Sequence, residues 1–163
     1  MATARKHPQL TWADGHLDDL PAVAALASLA FEPGWRECWS ERQMADVLTM
    51  PGSWLDLARD DQGHAIAFAL SRQVAGEVEL LLCGVDPRWQ RLGLGRALVQ
   101  RVRDIAQRRG ADRLFLEVRQ GNIAARRLYG SAGLGEVGRR AGYYKHVSGC
   151  TDDAITLSFS LGR

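Results

Sequence analysis

Apolar positions recur along this chain with two periods. Between His16 and Ala30 they fall at Leu17, Leu20, Val23, Ala24, Ala27 and Leu29, the spacing of one helix face. Pro21 is compatible only with the first turn of such a helix. Ser40 with Gln43 forms a capping-box pattern and predicts a helix to about Met50, ended by Pro51-Gly52. Leu94, Leu98, Val102 and Ile105, with Ala97 and Ala106 on the same side, predict a helix over 93–109 closed by Gly110. Asn122 to Ser131 reads as a short helix stopped by Gly133.

The other period is two. Gln9-Leu10-Thr11-Trp12 lies in a short first strand over 8–13. Trp54–Ala58 and His64–Val74 are strands joined by the turn Asp60-Asp61-Gln62-Gly63, and Ala75-Gly76 leads into the strand Glu77–Val85. Arg113–Val118 places Leu114, Leu116 and Val118 on one face, with Phe115 and Glu117 on the other. Val137–Tyr144 and Ala154–Leu161 are the last two strands. The predicted order is β α α β β β α β α β β. Three consecutive strands form an antiparallel meander. The strand 77–85, the helix after it and the strand 113–118 make a right-handed βαβ unit, hence a parallel pair. The fold class is α/β, a mixed sheet of about seven strands with helices on both faces, in one domain over 1–163.

Composition changes this picture little. With 46% hydrophobic and 25% charged residues among 163, the chain is an ordinary globular sequence. No apolar run reaches membrane-span length and the first residues lack a secretory h-region, so a cytoplasmic setting is expected. Cys38, Cys83 and Cys150 match neither a disulfide framework nor a metal site. His7, His16, His64 and His146 are scattered and read as surface or loop residues.

Charge changes it more. The net +2 conceals 13 arginines against four acids over 88–140, a local +9, balanced by −7 elsewhere. A basic segment around a Gly-rich turn suits a small polyanion. Interleaved aromatics are lacking, which disfavours nucleic acid. The turn is Gln90-Arg91-Leu92-Gly93-Leu94-Gly95-Arg96, between a strand and a helix. Unpaired N–H groups there, with the positive end of the helix dipole, form an anion site. The sequence around it is neither a P-loop nor a dinucleotide fingerprint.

In a parallel βαβ unit ligands sit at the carboxyl ends of the strands, here Cys83-Gly84-Val85 and Glu117-Val118-Arg119. Gly84 inside an apolar strand predicts a bulge or a close backbone approach. A bulge would splay the two strands and free backbone groups for an extended amide-containing ligand. Glu117 is a candidate base or a solvated strand residue. Asn122 and Tyr129 are seven residues apart, on one face of the following helix. A tyrosine there is either a packing aromatic or a proton donor to a thiolate.

Val85-Asp86-Pro87 followed by Gln90-Arg91-Leu92-Gly93-Leu94-Gly95 resembles the acetyl-CoA signature of the GNAT N-acetyltransferase superfamily. Leu116-Glu117-Val118-Arg119, Asn122-Ile123-Ala124-Ala125, Leu128-Tyr129 with Gly133-Leu134, Arg139-Arg140-Ala141-Gly142-Tyr143-Tyr144 and Asp153-Ala154 resemble its ribosomal-protein alanine acetyltransferases, the RimI group. The likeness covers about residues 78–160 well and the first half only in element order. It implies a parallel pair splayed around acetyl-CoA, with no metal. The pyrophosphate would lie on the N–H groups of Arg91, Leu92, Gly93, Leu94, Gly95 and Arg96. The pantetheine would run along Cys83, Gly84 and Val85 and be held by Asn122. Glu117 would take the proton of the acceptor's α-ammonium through water, the Val85 N–H would stabilise the oxyanion, and Tyr129 would protonate the leaving thiolate. The implied partner is a protein N-terminus, that of a ribosomal protein.

Trp39, within the Phe31–Trp39 loop, and Tyr143-Tyr144 would wall the peptide groove. Glu32, Glu37 and Glu41 are expected to attract a basic N-terminal peptide. Two departures bear on the acceptor: Leu134 replaces the usual Phe, and the 31–39 loop is longer than the resemblance suggests. A small amine, a polyamine or a lysine side chain therefore stands as an alternative acceptor, and a non-catalytic acyl-CoA-binding regulator as an alternative class.

Overall fold

The computed structural model describes residues 10–162. The sequence predictions at Gln9 and His7 lie outside the described residues. Among the described residues the elements are β1 (Thr11–Gly15), α1 (Leu20–Ala30), α2 (Glu41–Leu48), β2 (Ser53–Arg59), β3 (Ala65–Val74), β4 (Glu77–Val85), α3 (Leu94–Arg108), β5 (Arg113–Arg119), α4 (Ile123–Ser131), β6 (Gly135–Lys145) and β7 (Thr151–Ser160). The order matches the periodicity. One turn of 3-10 helix, Leu17–Asp19, precedes α1, so Pro21 falls in the first turn of the α-helix. None of these helices is long and apolar enough to cross a membrane.

One sheet of seven strands runs β1-β2-β3-β4-β5-β7-β6. The pairings are antiparallel except β4 with β5. Its two faces carry two cores. Leu20, Val23, Leu26 and Ala27 of α1 and Met44 of α2 pack on Leu55, Leu57, Phe68, Leu70 and Leu82. Leu94, Leu98, Val102 and Ile105 of α3 and Tyr129 of α4 pack on the opposite face. The helical stripes differ from the expected ones in detail. Leu17 and Leu29 are exposed and Leu26 takes a core place. Ala97 faces solvent, while Val99 is buried. The Ser40–Gln43 capping box forms, with the Gln43 N–H donating to Ser40 Oγ and the Ser40 N–H to Gln43 Oε1.

The parallel pairing of β4 with β5 is short. It holds only for Glu77–Arg113, Val78–Leu114 and Glu79–Phe115, after which the strands diverge. The register of β3 on β4 shifts at the same level: Leu70 faces Leu82 and Ser71 faces Leu80, leaving Leu81 as the extra residue. The bulge expected at Gly84 is thus at Leu81, while Gly84 pairs regularly with Phe68. Gly84 meets the other demand, close approach. A Cβ there would lie 2.9 Å from Phe68 Cε1 and 3.0 Å from Ala30 Cβ. Absence of that carbon lets the end of α1 sit on β4. A bulge twists and bends its strand, and this one coincides with the point where β4 leaves β5.

Candidate active site

The divergence of β4 and β5 opens a cavity of about 1160 Å³. That exceeds the usual range for a single drug-sized ligand, ~300–1000 Å³, and suits an extended donor and an acceptor together. Its lining unites most of the residues singled out in the sequence: Cys83, Gly84, Val85, Arg91, Gly93, Gly95, Arg96, Glu117, Asn122 and Tyr129, with Trp39, Tyr143 and Tyr144. Leu92 and Leu94 are not in the lining: the Leu92 side chain is exposed and Leu94 lies in the core. Those two positions present only their main chain to a ligand.

At one end the chain turns from β4 into α3. Asp86 is buried and accepts from the Arg88 N–H at 2.9 Å and from the Arg88 guanidinium at 2.6 Å. These bonds hold its carboxyl below the usual range. Arg91 and Gly93 then adopt left-handed backbone, at φ 60° and 81°. The first hydrogen bond of the helix runs from the Ala97 N–H to Gly93 O. Among the described residues the N–H groups from Arg91 to Arg96 have no internal partner. Six unpaired donors at a helix start, flanked by Arg91 and Arg96, have the arrangement of an anion cradle. Gly95 lets α3 meet α4: a Cβ there would lie 3.0 Å from Leu128 Cδ2.

The middle of the cleft is main chain. The Asp86 N–H donates to Ile66 O on β3 at 2.8 Å. By alternation the backbone groups of Val85 and Cys83 face away from β3, into the gap that β5 has left. The Gln90 amide donates to Val85 O from that side, at 3.1 Å. Asn122 caps α4, its Oδ1 accepting from the Ala125 N–H at 3.2 Å, which leaves its amide donors for a ligand. Tyr129 is buried and its hydroxyl lies 3.1 Å from Cys83 Sγ. Burial, reinforced by the Cys83 sulfur, raises the Tyr129 phenol well above its ordinary value. Burial likewise pushes the Cys83 thiol up, against the pull of the Tyr129 hydroxyl. A phenol so placed keeps its proton and can donate it to a developing thiolate.

The far end holds the carboxylates. Glu117 is mostly buried and pairs with Arg140, Oε1 to Nη2 2.8 Å. Glu79 opposes Phe115, so it shares a face with Glu117 two residues further along β5. Burial and the neighbouring Glu117 raise the Glu79 carboxyl, against the pull of Arg140. Tyr144 reaches the same space, its phenol raised by burial and by Glu37 and Glu117. It gets there because β6 bulges against β7: Arg140 faces Ala154 and Tyr144 faces Asp152, so 141–143 oppose the single residue Asp153. Gly142, at φ 60°, donates its N–H to Asp153 Oδ1 at 2.9 Å. The Ala141-Gly142-Tyr143-Tyr144 and Asp153-Ala154 segments are therefore one device. Tyr143 is the more exposed of the pair and stands edge-on to Tyr144 with ring centroids 5.2 Å apart.

The 31–39 loop qualifies one expectation. Glu32 and Glu37 are not independent acids. Both bind Arg119, at 2.7 Å and 3.3 Å, and Asp152 is a third partner at 3.3 Å. The Arg119 side chain is 6% exposed and lies 4.3 Å from the Trp35 ring. Trp35 in turn meets His146 edge-on, and the Val147 N–H bonds Gly34 O. Arg119 thus ties this loop to the end of β5 and to β7. Glu41 sits in the first turn of α2, where the helix dipole favours it.

Arg140, Glu79 and Arg119 are site residues that sequence reasoning did not single out. An acid among the leucines of β4, at the register level of the strand carrying Glu117, was the available signal for Glu79. Nothing local marks Arg140 as the partner of a residue 23 positions away.

Splayed β4 and β5, a main-chain anion cradle at the start of α3 and a carboxylate and phenol facing one cleft define an acyl-transferring cleft. The chain belongs to the acetyltransferase (GNAT) family, whose pattern it matches over residues 20–134. It is 37% identical over 123 residues to the [ribosomal protein bS18]-alanine N-acetyltransferase of Escherichia coli K12, covering 76% of this chain and 81% of that one. It is 43% identical over 100 residues to the N-alpha-acetyltransferase RimI of Mycobacterium tuberculosis, covering 61% and 60%. The crystal structure of the Escherichia coli ribosomal-protein-S18-alanine N-acetyltransferase superposes with a TM-score of 0.85 at 33% identity, over 95% of this chain and 96% of that one.

Proposed function

We propose that this protein transfers the acetyl group of acetyl-CoA to the α-amino group of a protein N-terminus, in the cytoplasm, with the N-terminal alanine of a ribosomal protein as its acceptor. The observation that carries the reading is that Glu117 and Tyr129 face one cleft between a main-chain anion cradle and the Tyr143-Tyr144 wall. The N–H groups from Arg91 to Arg96 hold the pyrophosphate. Cys83 offers its free backbone groups to the pantetheine amides, and Asn122 adds its amide donors.

Glu117 accepts the proton of the acceptor's ammonium through water. An α-ammonium has a reference pKa near ~8, so a carboxylate base suffices, whereas a lysine ammonium near ~10.4 demands more. The freed amine attacks the thioester carbonyl directly in a ternary complex. The new C–N bond forms and the C–S bond breaks, with the Val85 N–H placed for the oxyanion. Tyr129 gives its proton to the leaving sulfur, recovered from solvent afterwards. The test is CoA release with acetyl-CoA and a panel: Ala-, Ser- and Met-starting peptides, an N-blocked lysine peptide and polyamines. Ala-starting peptides are the expected substrates; turnover with only the blocked peptide or the polyamines overturns the reading.

A further inference from the structure

We infer that Arg140 is a displaceable stand-in for the acceptor: it fills the seat beside Glu117 and Glu79 that the acceptor's α-ammonium takes, and swings out along Tyr143 when the acceptor enters. The inference deepens the proposed function and rests on it.

Glu79 and Glu117 stand on neighbouring strands, on one face, inside the cavity. Two carboxylates on one wall repel unless a cation is present. Among the described residues Arg140 is the only ion-pair partner of Glu117. Yet the arginine is loosely held. Its side chain is 59% exposed while that of Glu117 is 18% exposed. It also stands against the Tyr143 ring, 5.1 Å away, and Tyr143 is itself at the surface. The hydrogen bond that fixes the adjoining bulge is made by Gly142 to Asp153 and does not restrain the Arg140 side chain. The seat is thus built into the sheet, and its occupant comes from solvent. An ammonium with three donors can satisfy Glu117 and still present the neutral amine after giving up one proton.

Because the Arg140 side of the pair is exposed, it is worth on the order of 1 kcal/mol, so displacement weakens acceptor binding by about fivefold. Arg140→Gln is therefore expected to lower the acceptor KM three- to fivefold at low ionic strength, with the gain fading near about 0.5 M salt. The acetyl-CoA KM should not move. Arg140→Lys, which keeps a cation, should hold the acceptor KM near the wild-type value.

Displacement itself is read from the Arg140 Nη2–H resonance in protein labelled with 15N-arginine and saturated with CoA, which carries no acetyl group to transfer. An Ala-starting peptide should release that resonance from its carboxylate-bound position; the same peptide with an acetylated N-terminus should not. A resonance unmoved by a peptide that is a substrate, or an acceptor KM that rises in Arg140→Gln, overturns the inference. Turnover with only a small amine would defeat the function reading alone, and the same titration with that amine then decides the role of Arg140. Turnover with nothing in the panel defeats both.

Discussion

Replacing Arg119 with methionine tests how the acceptor loop is held. Methionine keeps much of the apolar stem and removes the guanidinium. The three carboxylates that lose their partner are not equivalent. The Glu32 side chain is 63% exposed and returns to water at little cost. Asp152 keeps the N–H groups of Gly121 and Asp153, at 2.8 Å each. Glu37, 9% exposed, has no such replacement, and burial already raises its carboxyl even with Arg119 present. Breaking a buried pair by removing one partner costs ~3–5 kcal/mol, and the lost Trp35 stacking adds ~1 kcal/mol. For a domain of this size that is a drop in Tm of about 8–24 °C.

The loss should depend on pH. The folded Glu37 carboxyl titrates above its unfolded value of 4.5, and without Arg119 it rises further. The folded state then binds more protons than the unfolded one, so stability falls as pH rises from the unfolded value through the folded one. Urea titrations at pH 5 and pH 8 should show the smaller deficit at pH 5. Adding Glu37→Gln removes the stranded charge and should recover most of the stability at pH 8. In steady-state kinetics the single variant should raise the acceptor KM and leave the acetyl-CoA KM unchanged, because Arg119 holds the 31–39 loop and not the anion cradle. Equal deficits at both pH values, or a double variant no more stable than the single, would refute the assignment of the cost to Glu37.

Two further substitutions test the centre of the cleft. Tyr129→Phe should lower kcat by about 100-fold, the low end of general-acid contributions because a thiolate already leaves readily. It should cost ~1 kcal/mol of stability through the lost contact with Cys83, measured by denaturant titration. Gly84→Ala forces a carbon against Phe68 and Ala30 and should cost ~1–3 kcal/mol in the same titration; wild-type stability would contradict the close approach of α1.

The order of the elements was legible because amphipathic periods are local. Ser40 and Gln43, Gly110 and the Gly93–Gly95 turn all announce themselves within a few residues, and each stands where its local chemistry puts it. Of the two readings at Gly84, a bulge or a close approach, the second holds, and the bulge lies at Leu81 for a physical reason. Leu80-Leu81-Leu82 is uniform, so composition does not say which leucine is the extra one, whereas Gly84 stands out for a different cause. The ends of helical stripes erred likewise: Leu29 and Ala97 keep the period but lie beyond what the sheet covers. Of the cleft, Glu117, Asn122 and Tyr129 could be grouped by spacing along β5 and α4. Arg140 with Glu117 and Arg119 with Glu32, Glu37 and Asp152 join segments far apart in the chain. No local pattern encodes such pairs, and the acids of the 31–39 loop carry no sign in the sequence that folding gathers them on one arginine.

The three-residue contact between β4 and β5 has a consequence for how a sequence like this can change. Where the strands part, what they present is peptide groups, common to every residue but proline. Drift at Val85 alters the colour of that wall and leaves its grammar intact, whereas the Cys83 sulfur also touches Tyr129. The constraint falls instead on the few places that shape the backbone, the turn at Arg91–Gly95 and the glycine under α1. The acceptor wall is written in side chains: an arginine, two tyrosines and a loop clamped at one point. One half of the cleft can therefore be inherited nearly unread while the other is rewritten, and a change of acceptor requires no renegotiation with the donor.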